Sequence, residues 1–182
     1  AGATYGITTA GTGVLIKNNT ITANRMGIGP SGNTSSVTIT QNRIYGNGRP
    51  ILSVAGSAGG TTNASSPALL GIDFGVNGVT ADDLAASCAD GLPDCTAPQN
   101  FPIISPTSTW TASGLTLNGN LASRPNATFT LEFFANRGLN AAGFGEGEVY
   151  LGSATVTTGA TGNVSFSFDA SGDPLGDGST SG

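Results

Sequence analysis

The chain has 182 residues, of which 9% are charged; its net charge is −5, and it holds 29 glycines and no histidine. Six scattered basic residues in an acidic chain leave no electrostatic footprint for nucleic acid. No apolar run reaches the roughly 20 residues of a membrane-spanning helix, and the lack of histidine removes the usual catalytic triads and His-bearing metal sites. Strong helix formers are few and β-branched residues many, which predicts an all-β protein.

From the N-terminus, "VLIKNNTITANRMGIG" at residues 14–29 is answered by "VTITQNRIYGNG" at residues 37–48. Superposed, they match Ile16 to Ile39, Asn19 to Asn42, Ile21 to Ile44 and Asn24 to Asn47, each pair 23 residues apart. Gly-Ile recurs at residues 6–7, 27–28 and 71–72, and Pro50-Ile51 holds the same place between the last two. A period in the low twenties with short alternating strands predicts parallel β-helix coils over residues 1–75, with inward Ile and Val. Asn19, Asn42, Asn24 and Asn47 are the expected structural ladder, because an amide side chain supplies a donor and acceptors to a bend whose backbone groups need partners. The competing reading is a β-sandwich whose hairpins resemble each other by chance. Residues 53–68, "SVAGSAGGTTNASSPA", read as a loop leaving the third coil.

Residues 76–106 read as a connector rich in turn residues. Within it Cys88 and Cys95 enclose "ADGLPD", a disulfide in an extracellular setting and two thiols in a reducing one. Asp82, Asp83, Asp90 and Asp94 gather there too; hard oxygen ligands on such a loop suit calcium, although turn and cap roles explain them equally well and the spacing matches no EF-hand. From residue 107 to 182 the pattern is plain alternation: Leu115, Leu117 and Leu121, then Phe129, Leu131 and Phe133, then Val164, Phe166 and Phe168. This predicts an immunoglobulin-like β-sandwich, with Trp110 packed in or over its core. The tail "DASGDPLGDGSTSG" has no apolar strand face, so the sandwich is expected to lack its last strand.

The stretches "GIDFGVNGVTADD", "QNFPII", "FTLEFFAN", "GFGEGEVYLGSATVTT" and "GNVSFSF", in this order, resemble the C-terminal part of bacterial right-handed parallel β-helix repeat proteins. In that family an Ig-like sandwich follows the last coil. The resemblance implies a prokaryotic origin, an extracellular or cell-surface location and a repetitive surface. It does not fix an activity, since the family includes adhesins, fibre proteins and polysaccharide-degrading enzymes.

Asp73 is the sole acid of residues 1–75, so paired-carboxylate hydrolysis has no candidates in the coils. Arg25, Arg43 and Arg49 lie there without acids to hold a metal beside them. The expectation is therefore no enzyme, and no cofactor other than calcium. The chain reads as a structural or adhesive module, with carbohydrate binding or degradation as the alternative. Glycans or cell-surface molecules are the expected partners. A homo-oligomer or filament is expected too, because a short β-helix exposes stacking surfaces and residues 1–11, "AGATYGITTAG", could complete a neighbour's sheet by strand exchange.

Overall fold

A computed structural model describes residues 5–9, 11–30, 37–48, 70–73, 100–111, 113–140, 143–173 and 175. Among these every regular element is a strand: β1 (Tyr5–Thr9), β2 (Leu15–Lys17), β3 (Thr20–Thr22), β4 (Met26–Pro30), β5 (Thr38–Thr40), β6 (Arg43–Tyr45), β7 (Ile103–Ile104), β8 (Thr109–Thr111), β9 (Gly114–Ala122), β10 (Thr128–Ala135), β11 (Val149–Thr157) and β12 (Asn163–Ser171). The protein is all-β. Contacts divide it into two units, one of residues 1–79 and 136–150, the other of residues 80–135 and 151–182. The segment between β10 and β11 belongs to the first unit.

In the first unit, tiers of chain lie side by side in parallel. β1 pairs with β4 (Ile7 opposite Ile28), β2 with β5 (Ile16 opposite Ile39) and β3 with β6 (Ile21 opposite Ile44). These sheets are two-stranded and short rather than continuous. Ile16, Ile21, Ile28 and Ile44 form the buried core, with Ile7, Val14, Val37, Ile39 and Ile72 packed on it. The third tier opens at the third Gly-Ile: Ile28 bridges to Ile72, and its N–H donates to the Gly71 carbonyl at 2.8 Å. Pro50-Ile51 lies outside the described residues. The glycines of the series sit where tiers approach closest. A side-chain carbon on Gly27 would collide with the Gly71 carbonyl, and one on Gly6 would lie 2.8 Å from that of Gly27.

The N-terminal strand pairs within the chain described. Tyr5–Thr9 is β1 and pairs within its own chain, because Gly6-Ile7 carries the tier's own core residue.

In the second unit, β9 is central to an antiparallel sheet ordered β12-β9-β7, and β8 lies beside the same strand. β10 and β11 form a two-stranded sheet. The two sheets share a core of Leu121, Leu131, Phe133 and Phe166, with Leu117, Phe129, Val164 and Phe168 against it. The Phe133 and Phe168 rings stack with centroids 4.1 Å apart. Ile103 and Ile104 extend this sheet where a plain connector was expected, and the Ser105 N–H, bonded to the Asn118 carbonyl, carries the pairing up to Pro106. The first residues of the polar tail also join β12, with Ala170 opposite Leu115. Trp110 is half-buried in β8 opposite Leu115.

Candidate functional site

The bends between strands are built twice by one rule. Asn18 (φ 58°) and Gln41 (φ 51°) turn the chain in the left-handed region, and so do Ala23 (φ 61°) and Gly46 (φ 61°). Each is followed by a ladder asparagine. The left-handed residue directs the next backbone N–H and side chain along the stack rather than into solvent. The Asn42 Oδ1 accepts from both the N–H and the Nδ2 of Asn19, each at 3.0 Å. Asn47 Oδ1 accepts from the same two groups of Asn24, at 3.1 and 3.2 Å. The amide nitrogens close the circuit: Asn42 Nδ2 donates to the carbonyls of Ile16 and Thr40, and Asn47 Nδ2 to that of Ile21. Asn42 and Asn47 are buried.

Against the second tier lies a polar cluster from residues 136–148. Ile44 N–H donates to the Gly147 carbonyl at 2.8 Å, and Arg43 Nε to the Glu148 carbonyl at 3.2 Å. Glu146 Oε2 accepts from the N–H and Nδ2 of Asn47, at 3.1 and 3.0 Å. Asn136 Oδ1 gathers three successive N–H groups, those of Glu146, Gly147 and Glu148. Glu148 is buried; its Oε2 accepts the Arg137 N–H, while its Oε1 meets the guanidinium of Arg137 and, at 3.6 Å, that of Arg43. The Arg137 backbone N–H, then the two guanidinium groups, hold the Glu148 carboxyl below the usual carboxylate value against the opposing pull of burial. Arg43 also covers the Tyr45 ring, 4.6 Å from its centroid.

No family model matches the chain, and no curated protein matches it. The reading of the site therefore rests on its chemistry. The structure brings together Asn19 with Asn42 and Asn24 with Asn47. Cys88, Cys95, Asp82, Asp83, Asp90, Asp94 and Arg49 lie outside the described residues. Among the described residues no three His, Cys, Asp or Glu side chains group to hold a metal, and no helix is long and apolar enough to cross a membrane.

What the sequence reading missed is that acids reach the tiers from afar. Glu146 and Glu148 are about a hundred residues from Asn47 and Arg43. "GEGE" follows no tier spacing, and only the glycines and Asn136 hint at a turn built for backbone contacts. Glu148 is a poor proton donor, with both oxygens engaged. Glu146 spends one oxygen on Asn47, and its other is buried without a hydrogen bond. The arrangement fastens backbone rather than presenting a reactive oxygen.

The second unit offers two shallow surfaces. A groove of about 460 Å³ is lined by Ile103, Ile104, Pro106, Gly119 and Phe166. A shelf of about 480 Å³ is lined by Thr109, Thr111, Ser113, Thr116, Asp169 and Ser171. On the shelf Thr116 Oγ1 donates to Asp169 Oδ1 at 2.6 Å.

Proposed function

We propose that this chain is a non-catalytic structural or adhesive module of an extracellular or cell-surface protein, and that it can act as a fibre subunit. In this reading the parallel tiers are coils of a short right-handed β-helix, and the second unit is an Ig-like sandwich, as in the bacterial repeat proteins that the chain resembles. The observation that carries the proposal is where the chemically capable groups are spent. Asn42, Asn47, Glu146, Glu148, Arg43 and Arg137 all bond to backbone or to one another within one scaffold. A framework held by satisfied buried amides resists shear and solvent without needing a reactive centre.

A second reading, carbohydrate binding, draws on the Thr/Ser shelf, whose hydroxyls and one carboxylate can exchange hydrogen bonds with sugar hydroxyls. A glycan array with lyase and hydrolase assays on acidic polysaccharides tests both. The structural reading expects no turnover, and turnover by the purified chain would overturn it. Binding lost on Asp169→Ala, without turnover, would favour the second. If copies assemble, the joint expected is an exchange of β1, because a neighbour's Tyr5–Thr9 can make the same pairing with β4. Electron microscopy with and without residues 1–9 checks this; filaments that persist without β1 would exclude that joint.

A further inference from the structure

We infer that residues 136–140 and 143–148 belong to a detachable strap that imitates a third tier, with Glu146 standing in for a ladder asparagine, and that it blocks association of a second copy at the β6 edge. Two independent observations place Glu146 in the series Asn24, Asn47. Asn47 gives Glu146 the same two bonds, from its N–H and its Nδ2 to one oxygen, that Asn24 gives Asn47. The glycine contacts agree: a carbon added to Gly6 in the first tier would meet Asn24 Nδ2 at 2.7 Å, and one added to Gly71 in the third would meet Glu146 Cβ at 2.9 Å.

The ladder has a direction, since each tier donates to the oxygen of the next. Its donor end can be closed only by an acceptor, and a carboxylate is an acceptor with no N–H left over. The strap also runs against the tiers. Glu148 lies at Arg43, Gly147 at Ile44 and Glu146 at Asn47, so it passes β6 in the opposite sense and cannot continue the parallel stack.

The fastening is polar. Asn136, Glu146 and Glu148 hold the strap, whereas its apolar residues Leu139 and Phe144 are exposed. A segment held by hydrogen bonds with little apolar burial opens before the stack does. Opening exposes the Ile44 N–H and the two Asn47 donors on an edge strand. A strand of a second copy can satisfy those groups, so the occupied strap is an autoinhibitory contact. This inference does not depend on the adhesive reading.

Amide exchange on the intact chain tests it. The Ile44 and Asn47 N–H groups report the strap; those of Thr38 and Arg43, bonded to Val14 and Asn19, report the stack. In the unmodified protein the strap pair should exchange at least about tenfold faster than the stack pair. Asn136→Ala and Glu146→Ala should each speed the strap pair by about ten- to a hundredfold and leave the stack pair nearly unchanged. Glu146→Gln, which keeps an acceptor oxygen, should stay near the unmodified rate. Light scattering should show Glu146→Ala associating at a concentration at least about tenfold lower than the unmodified chain. If all four amides accelerate together, or the strap pair is indifferent to both alanine variants, the strap is not a separate device. An opened variant that stays monomeric overturns its blocking role.

Discussion

The core of the first unit is aliphatic and that of the second adds phenylalanine rings, and the two units also satisfy their backbones differently. In the second, neighbouring strands run antiparallel: β9 and β12 stay in register over nine opposed pairs, from Gly114–Ser171 to Ala122–Asn163, so the backbone is served chiefly by the sheet ladder itself. In the first, no described parallel pairing exceeds five residues. Pairs that short leave bends on both sides, and buried asparagine amides supply the missing partners there. Breaking the antiparallel unit should therefore require removing hydrophobic volume. Breaking the tiers should require removing a polar atom.

The largest effect expected is in the second unit. Phe133 is 5% exposed, stacks on Phe168 and tilts against Phe166 at 5.7 Å. Phe133→Ala should cost about 3–5 kcal/mol by removing a buried ring that its neighbours cannot refill. Urea unfolding followed at the β9 and β12 amides measures it. A cost below about 1 kcal/mol would mean that the sheets do not depend on this core.

Next comes the polar counterpart. Asn42→Leu keeps the apolar volume but deletes an acceptor for two Asn19 groups and a donor to two carbonyls. Stability should fall by about 1–3 kcal/mol, the cost of leaving such buried groups unmade. A neutral result in thermal unfolding would show that the tiers, like the second unit, rest on apolar packing alone, and the contrast between the units would disappear.

A pH dependence is expected from Glu148 in the first unit. Glu148 is held ionised by Arg137 and Arg43, so its folded pKa lies below its unfolded one. Its contribution is complete above the unfolded value and is lost as pH falls through the folded value. The protein should lose more stability than Glu148→Gln between about pH 6 and about pH 3. Parallel pH profiles of the two would show that the carboxylate adds nothing beyond an uncharged acceptor.

Much of this contrast was legible in the sequence. Alternating Leu and Phe mark the second core directly, because an antiparallel strand with one buried face repeats every two residues. The 23-residue offset of Ile16/Ile39 and Ile21/Ile44 is the observed parallel register, since tiers that stack in register must repeat their buried residues. The third tier was legible only in part. Gly71-Ile72 carries the Gly-Ile mark, but Ile72 lies 44 residues from Ile28, two periods rather than one, and pairs with it directly. Glu146 lies 99 residues from Asn47, a distance that follows no tier spacing. A carboxylate serving where an asparagine is expected also hides from a search for asparagines.

The smallest effect expected has the opposite sign, and it exploits an imperfection in the repeat. Four residues turn the bends with positive φ, and the equivalent positions Ala23 and Gly46 share a value of 61°. Glycine adopts this region freely, whereas an alanine Cβ is crowded against the backbone there. Ala23 is exposed, so the substitution removes no packing. Ala23→Gly should therefore relieve strain of about 1 kcal/mol, partly offset by the greater freedom of glycine in the unfolded chain, for a net gain of about 0.5 kcal/mol. The same exchange at Ala127, which precedes strand β10 and is not among the positive-φ residues, has no strain to relieve and should destabilise. Paired chemical denaturation of the two variants gives the answer. A loss at Ala23 equal to that at Ala127 would mean that the bend is not strained, and that the left-handed residue before each ladder asparagine is a consequence of the ladder rather than a demand placed on the sequence.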